Sequence, residues 1–214
     1  TSNSGNLYSF GPTGNSDRAL GSIGSSNAKA GNFFWGVRLR NNTGGTITSL
    51  AISYTGEQWR NGGAAAHTAS FSYLTGASLT GTLSEFQQAG TAVSQLDFTS
   101  PITGGTAGPL DGNAAANRTA KSYTISGLSI ANGSEIMLRW SDPDHTGGDH
   151  GLSIDDFSVT AQGSSPGGPP TLSVNDVSKA EGDSGTTTFS FTVSLSAPAP
   201  AGGVSFTVAT ADGT

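Results

Sequence analysis

Apolar residues in this chain recur every second position, and no stretch carries the three-to-four spacing of a long amphipathic helix. Leu50, Ile52 and Tyr54 alternate with small or polar residues, as a half-buried strand does. Ala69, Phe71 and Tyr73 repeat the pattern, then Tyr123 with Ile125 before Gly127. Ile136, Leu138 and Trp140 form a further run, reached from Leu128 and Ile130 through the turn Ala131-Asn-Gly-Ser134. Leu152, Ile154 and Val159 mark a last strand from Gly151 to Ala161. Asn42-Thr-Gly-Gly45 and Asn61-Gly-Gly63 punctuate these runs as turns. Residues 84 to 89 allow one helical turn at most. Many short strands in so few residues predict an all-β fold, a two-sheet jelly roll or a laminin-G-like sandwich.

Gly163-Ser-Ser-Pro-Gly-Gly-Pro-Pro170 denies any regular hydrogen-bond ladder and reads as a linker. It separates a first domain, residues 1–162, from residues 171–214. In the second part, Leu172 with Val174, Phe189 with Phe191 and Val193, and Val204 with Phe206 and Val208 predict three strands. Three strands do not close a sandwich, so the module is expected to continue beyond Thr214.

Composition narrows the function classes. Charged residues are 11% of the 214, against roughly 25% in an average domain. The nine Lys and Arg do not cluster, and the net charge is −6. Phosphate-backbone binding needs clustered cations, so nucleic acid is not an expected partner. The chain has no cysteine, which excludes thiolate metal sites and disulfides. No run is apolar enough to insert in a membrane. The chain begins at Thr1 and shows no signal peptide, which reads as a mature or excised segment.

Residues 170–214 resemble the start of a Calx-β module. The resemblance rests on Ser173-Val-Asn-Asp-Val-Ser-Lys-Ala-Glu-Gly-Asp-Ser-Gly185 and on Ala209-Thr-Ala-Asp-Gly-Thr214, in order and spacing. It covers about the first half of that module and implies an immunoglobulin-like sandwich. It also implies Ca²⁺ at one end, with Glu181 and Asp212 among the ligands. The first region is similar to a β-domain of secreted bacterial proteins, on Asp17 to Ile23, Ile52 to Gly63, Leu110 to Thr119 and Leu138 to Val159. Such regions occur in large secreted proteins, some of which carry nuclease or phosphoesterase domains elsewhere.

Asp142, Asp144, Asp149, Asp155 and Asp156 place five carboxylates within 15 residues, with Gly147, Gly148 and Gly151 between them. Ca²⁺ takes six to eight oxygen ligands, and this segment offers carboxylates and carbonyls for most of them. The alternative is that these Asp residues only form turns. Because successive strand residues point to opposite faces, Asp155 and Asp156 both reach the loop only if the strand bulges.

His67, His145 and His150 are the only histidines; His145 and His150 flank Asp149, which admits a zinc or an acid–base reading, but the spacing matches no zinc motif and they read as exposed loop residues. Trp59 either stacks on a sugar ring, with Glu57 and Arg60 bonding its hydroxyls, or packs in the core while Glu57 pairs with Arg60. Asp17 and Arg18 read as a structural ion pair. No nucleophile-elbow pattern is present. The expectation is a monomeric, non-catalytic, calcium-stabilised segment of a secreted or cell-surface protein. It would contact glycans or matrix components, or act as a spacer. The alternative is the accessory front region of a secreted nuclease or phosphoesterase.

Overall fold

The computed structural model describes residues 4–26, 32–163, 171–180, 184–196 and 204–207. They are almost entirely strand, turn and loop. Residues 1–164 and 165–214 form two units.

In the first unit every strand pairing is antiparallel. One sheet runs β1 (Asn6–Phe10), β2 (Ala19–Ile23), β11 (Gly151–Gly163) and β4 (Ile47–Asn61). The far edge of β4 pairs with β9 (Arg118–Ile130) along most of its length, and with β8 (Gly108–Pro109) at its end. The second sheet runs β3 (Phe33–Arg40), β10 (Glu135–Asp142) and β5 (Thr68–Gly76). The short strands β6 (Thr91–Ala92) and β7 (Phe98–Thr99) extend it beyond β5.

The two sheets share one core. Leu50, Ile52, Tyr54 and Leu152 from the first sheet meet Phe71, Ile136, Leu138 and Trp140 from the second. Period-two alternation in β4 and β10 puts these side chains on one face. Trp140 is contacted edge-on by Tyr54, Phe71 and Phe157. Arg139, on the opposite face of β10, is also buried. Its guanidinium donates to the carbonyls of Glu85, Phe86 and Gln88, and so holds the α-helical turn Leu83–Phe86 over that face.

The last strand bulges at its two adjacent aspartates. Asp155 lies opposite Thr55 and Ser158 opposite Ser53, so β11 has one residue more than β4 across this stretch. Asp156 takes φ 51° there. Its backbone N–H donates to Asp155 Oδ1, and its own Oδ2 accepts from the Thr55 hydroxyl.

In the second unit β12 (Leu172–Val174) pairs antiparallel with β13 (Val193–Leu195). Phe189 and Phe191 precede β13 without ladder partners of their own, and both are exposed. Val204 and Phe206 likewise lie outside any strand, while Val208 is outside the described residues. A two-stranded ribbon has no second sheet against which to bury its apolar face, and Leu172, Val174, Val193 and Leu195 are accordingly exposed. The expected linker, apart from Gly163 at the end of β11, is outside the described residues, as are Glu181 and Asp212.

Candidate metal centre

At one end of the sandwich, the β4–β5 connection (62–67) meets the β10–β11 connection (143–150) and the end of β2. The approach is close. A Cβ on Gly62 would lie 1.8 Å from the Gly148 carbonyl oxygen, and one on Gly24 would lie 2.6 Å from Asp149 Oδ1. At Gly62, where the neighbour is backbone, only a residue without a Cβ permits the contact.

Histidines, expected on exposed loops, are packed into this junction. His67 is 3% exposed and His150 1% exposed. The reason is tertiary: each immediately precedes a strand of the core, β5 or β11, and the two connections cover each other. The His67 and His145 rings stack with centroids 4.2 Å apart, and His150 tilts against His67 at 4.5 Å.

The three imidazoles are not equivalent. His150 is fully bonded: Nδ1 accepts from the Gly62 N–H at 2.9 Å and faces Gln58 Nε2 at 3.0 Å, while Nε2 lies 3.0 Å from the Ala65 carbonyl. Two donors at Nδ1 and one acceptor at Nε2 fit the neutral Nε2–H tautomer. Burial also holds the His150 pKa below its usual value. Gln58 completes the clamp, donating to Arg60 and Ile102 carbonyls and accepting from the Ile102 N–H.

His67 and His145 are less complete. His67 Nδ1 accepts a long bond from the His150 N–H at 3.4 Å, and its Nε2 is buried without a well-formed hydrogen bond, although the Thr146 backbone lies close enough to the ring to interact with it. His145 Nε2 accepts from the Thr68 N–H at 3.3 Å, and its Nδ1 is buried without a partner. Burial, and then the neighbouring His145 and His150, push the His67 pKa down to about 4, so its ring is neutral at physiological pH.

Two carboxylates face these rings. Asp149 Oδ1 lies 3.8 Å from His67 Nδ1 and accepts from the His145 N–H at 3.3 Å. Asp142 Oδ1 lies 3.7 Å from His145 Nδ1, and its Oδ2 accepts from the Ser22 hydroxyl, a bond that joins the two sheets. Asp142 is 2% exposed, and burial pushes its pKa up to about 7. Asp149 is raised as well, first by burial and then by the charge of Asp144. One nitrogen of His67, one of His145 and one oxygen of Asp149 lie within 4.8 Å of one another. Among the described residues this is the one His/Cys/Asp/Glu group so gathered.

The five aspartates expected to share one ion therefore divide. Asp142 and Asp149 reach the histidine junction, and Asp144 is exposed on the loop between them. Asp155 and Asp156 lie four and five residues down β11 from Gly151, about 13 Å or more along the strand. There Asp155 faces Asp17, not the loop. His67 and His145 were absent from the sequence-based ligand set because 78 positions separate them. The one local signal was Asp149 between His145 and His150.

The proposed sugar platform is enclosed. Trp59 is 8% exposed, its ring stacks against Phe10 at 6.1 Å, and a Cβ on Gly112 would lie 2.3 Å from its indole. Glu57, 2% exposed, accepts from Trp59 Nε1 at 2.9 Å and so bonds the indole where a pairing with Arg60 was the alternative. Arg60 remains at the end of β4, half-buried, beside Gly151. Arg18 donates to Ser9 and to the Pro12 carbonyl, while Asp17 accepts from Asn113. Among the described residues no helix is long and apolar enough to cross a membrane. No protein-family model, no curated protein and no solved structure matches the chain.

Proposed function

We propose that this chain is a non-catalytic extracellular segment, a rigid sandwich that binds surface or matrix components such as glycans, or spaces the parts of a larger protein. The observation that carries the reading is how the buried polar side chains are used. Gln58 and His150 clamp the backbone at residues 60, 62, 65 and 102. Arg139 clamps residues 85 to 88, and Asn41 donates to the carbonyls of Gly45 and Ile130. Each of these groups fixes a connection to the sheet beneath it, which is how a scaffold holds loops in one shape for contact with a partner. Low surface charge and many polar uncharged residues suit hydrogen bonding to neutral sugars better than capture of a polyanion.

The test is a turnover panel on DNA, phosphate esters and polysaccharides, with Ca²⁺, Mg²⁺ or Zn²⁺ supplied in turn. No turnover is expected in any combination. Metal-dependent turnover that disappears in Asp149→Ala overturns the proposal.

A further inference from the structure

We propose that His67, His145 and Asp149 form a site for one divalent first-row transition cation of the Zn²⁺ type, which fastens the β4–β5 connection to the β10–β11 connection. The donor atoms are already gathered within 4.8 Å. In a tetrahedral shell with bonds of ~2 Å the ligand atoms lie about 3.3 Å apart. Closing from the present spacing asks for side-chain shifts on the order of 1 Å, within rotamer adjustment.

A second observation points to a ligand independently of this grouping. Buried polar atoms are almost always bonded, and an orphan is costly. His150, in the same junction, shows what a purely structural histidine looks like here, with both ring nitrogens engaged. His67, equally buried, leaves Nε2 without a well-formed hydrogen bond, and His145 leaves Nδ1 without one. A cation bound at the unpartnered nitrogen takes that atom's lone pair and leaves the proton on the other one, so the long contacts from the His150 and Thr68 N–H groups, 3.4 and 3.3 Å, give way as the rings adjust on binding. The pressed glycine contacts at Gly62 and Gly24 hold the two connections where such a site needs them.

The donor chemistry selects the ion. Two imidazoles and a carboxylate suit Zn²⁺, Ni²⁺, Cu²⁺ or Fe²⁺, whereas Ca²⁺ and Mg²⁺ take oxygen. Neutral imidazole offers its lone pair without first losing a proton. The positions left open on the ion fall to water or to Asp142 and Asp144 beside it.

The experiment uses the tag-free full chain after chelator treatment, titrated with ZnCl₂ and separately with CaCl₂. Calorimetry and the melting temperature are followed, with ¹⁵N shifts of the histidine rings. The expected result is one Zn²⁺ per chain, a rise in melting temperature, and movement of the His67 and His145 ring signals while those of His150 stay put. Asp149→Asn and His145→Gln are each expected to weaken Zn²⁺ binding at least about tenfold. Asp155→Asn is expected to leave it unchanged. Melting in chelator shows whether each variant folds, and the ring shifts need no variant at all. Equal Zn²⁺ affinity in wild type and Asp149→Asn overturns the proposal, as does saturable Ca²⁺ binding without Zn²⁺ binding, or ring shifts confined to His150.

Discussion

Replacing Asp142 by Asn should make the first unit less sensitive to alkaline pH, and the size of the effect follows from burial. The Asp142 carboxyl is 2% exposed and its pKa rises from the usual 3.8 to about 7 in the fold. Each tenfold difference in proton affinity is worth about 1.4 kcal/mol, so ionising Asp142 costs about 4 kcal/mol more in the fold than in the unfolded chain. A raised carboxylate leaves stability intact below its unfolded value near 3.8. It withdraws that stability as pH climbs through the folded value. His67 and His150, both depressed by burial, act in the opposite sense: they cost stability as pH falls below about 6.5. Both proteins share that histidine contribution, so the difference between them isolates Asp142. Asn keeps an oxygen for the Ser22 hydroxyl and cannot ionise. Urea unfolding in chelator at about pH 5 and about pH 8.5 is the assay. Between these limits the wild type should lose about 2.5 kcal/mol more than Asp142→Asn. Parallel pH profiles for the two proteins would refute the reasoning, because the carboxyl would then be ionised in the fold at little cost.

Other outcomes follow from the packing. Leu138→Ala, at a site fully buried between the sheets, should cost about 2–5 kcal/mol in urea unfolding, while Leu20→Ala, 46% exposed, should cost under about 1 kcal/mol. Arg139→Leu should lose about 3 kcal/mol or more and expose residues 85–88 to protease, with Lys failing to rescue because an ammonium lacks the planar fork that spans three carbonyls. Hydrogen exchange should find residues 189–193 far less protected than residues 136–140. Equal protection would mean that the exposed Phe189 and Phe191 are covered in solution.

The strands were legible because alternation is a local signal: the Leu50-Ile52-Tyr54 and Ile136-Leu138-Trp140 runs carry their burial in their own spacing. The bulge at Asp155–Asp156 entered the sequence reading only as the condition for both acids to reach the loop; the strand does bulge there, yet Asp155 faces Asp17 instead. The histidine junction was not legible, because His67 and His145 are joined only by the folding of two distant connections over each other. Trp59 misleads in a related way. Its apolar ring and polar neighbours read equally as a platform or as packing, and only Phe10 and Gly112, remote in sequence, decide between them. Phe189 and Phe191 show the converse: strand-like spacing alone gives no ladder, and among the described residues no strand pairs with them.

The place of β11 bears on how the chain acquires its shape. It is the last strand of the first unit, yet it lies between β2 and β4, and β10 just before it lies between β3 and β5. A chain emerging from its N-terminus therefore holds the second sheet open until β10 has appeared, and the first until β11 has. The earlier strands wait with open edges, and the closing step joins segments about ninety or more residues apart. Such a unit should fold slowly, completing only once β11 has emerged, and a truncation anywhere before Gly151 should leave the edges of β2 and β4 open with nothing to zip them together.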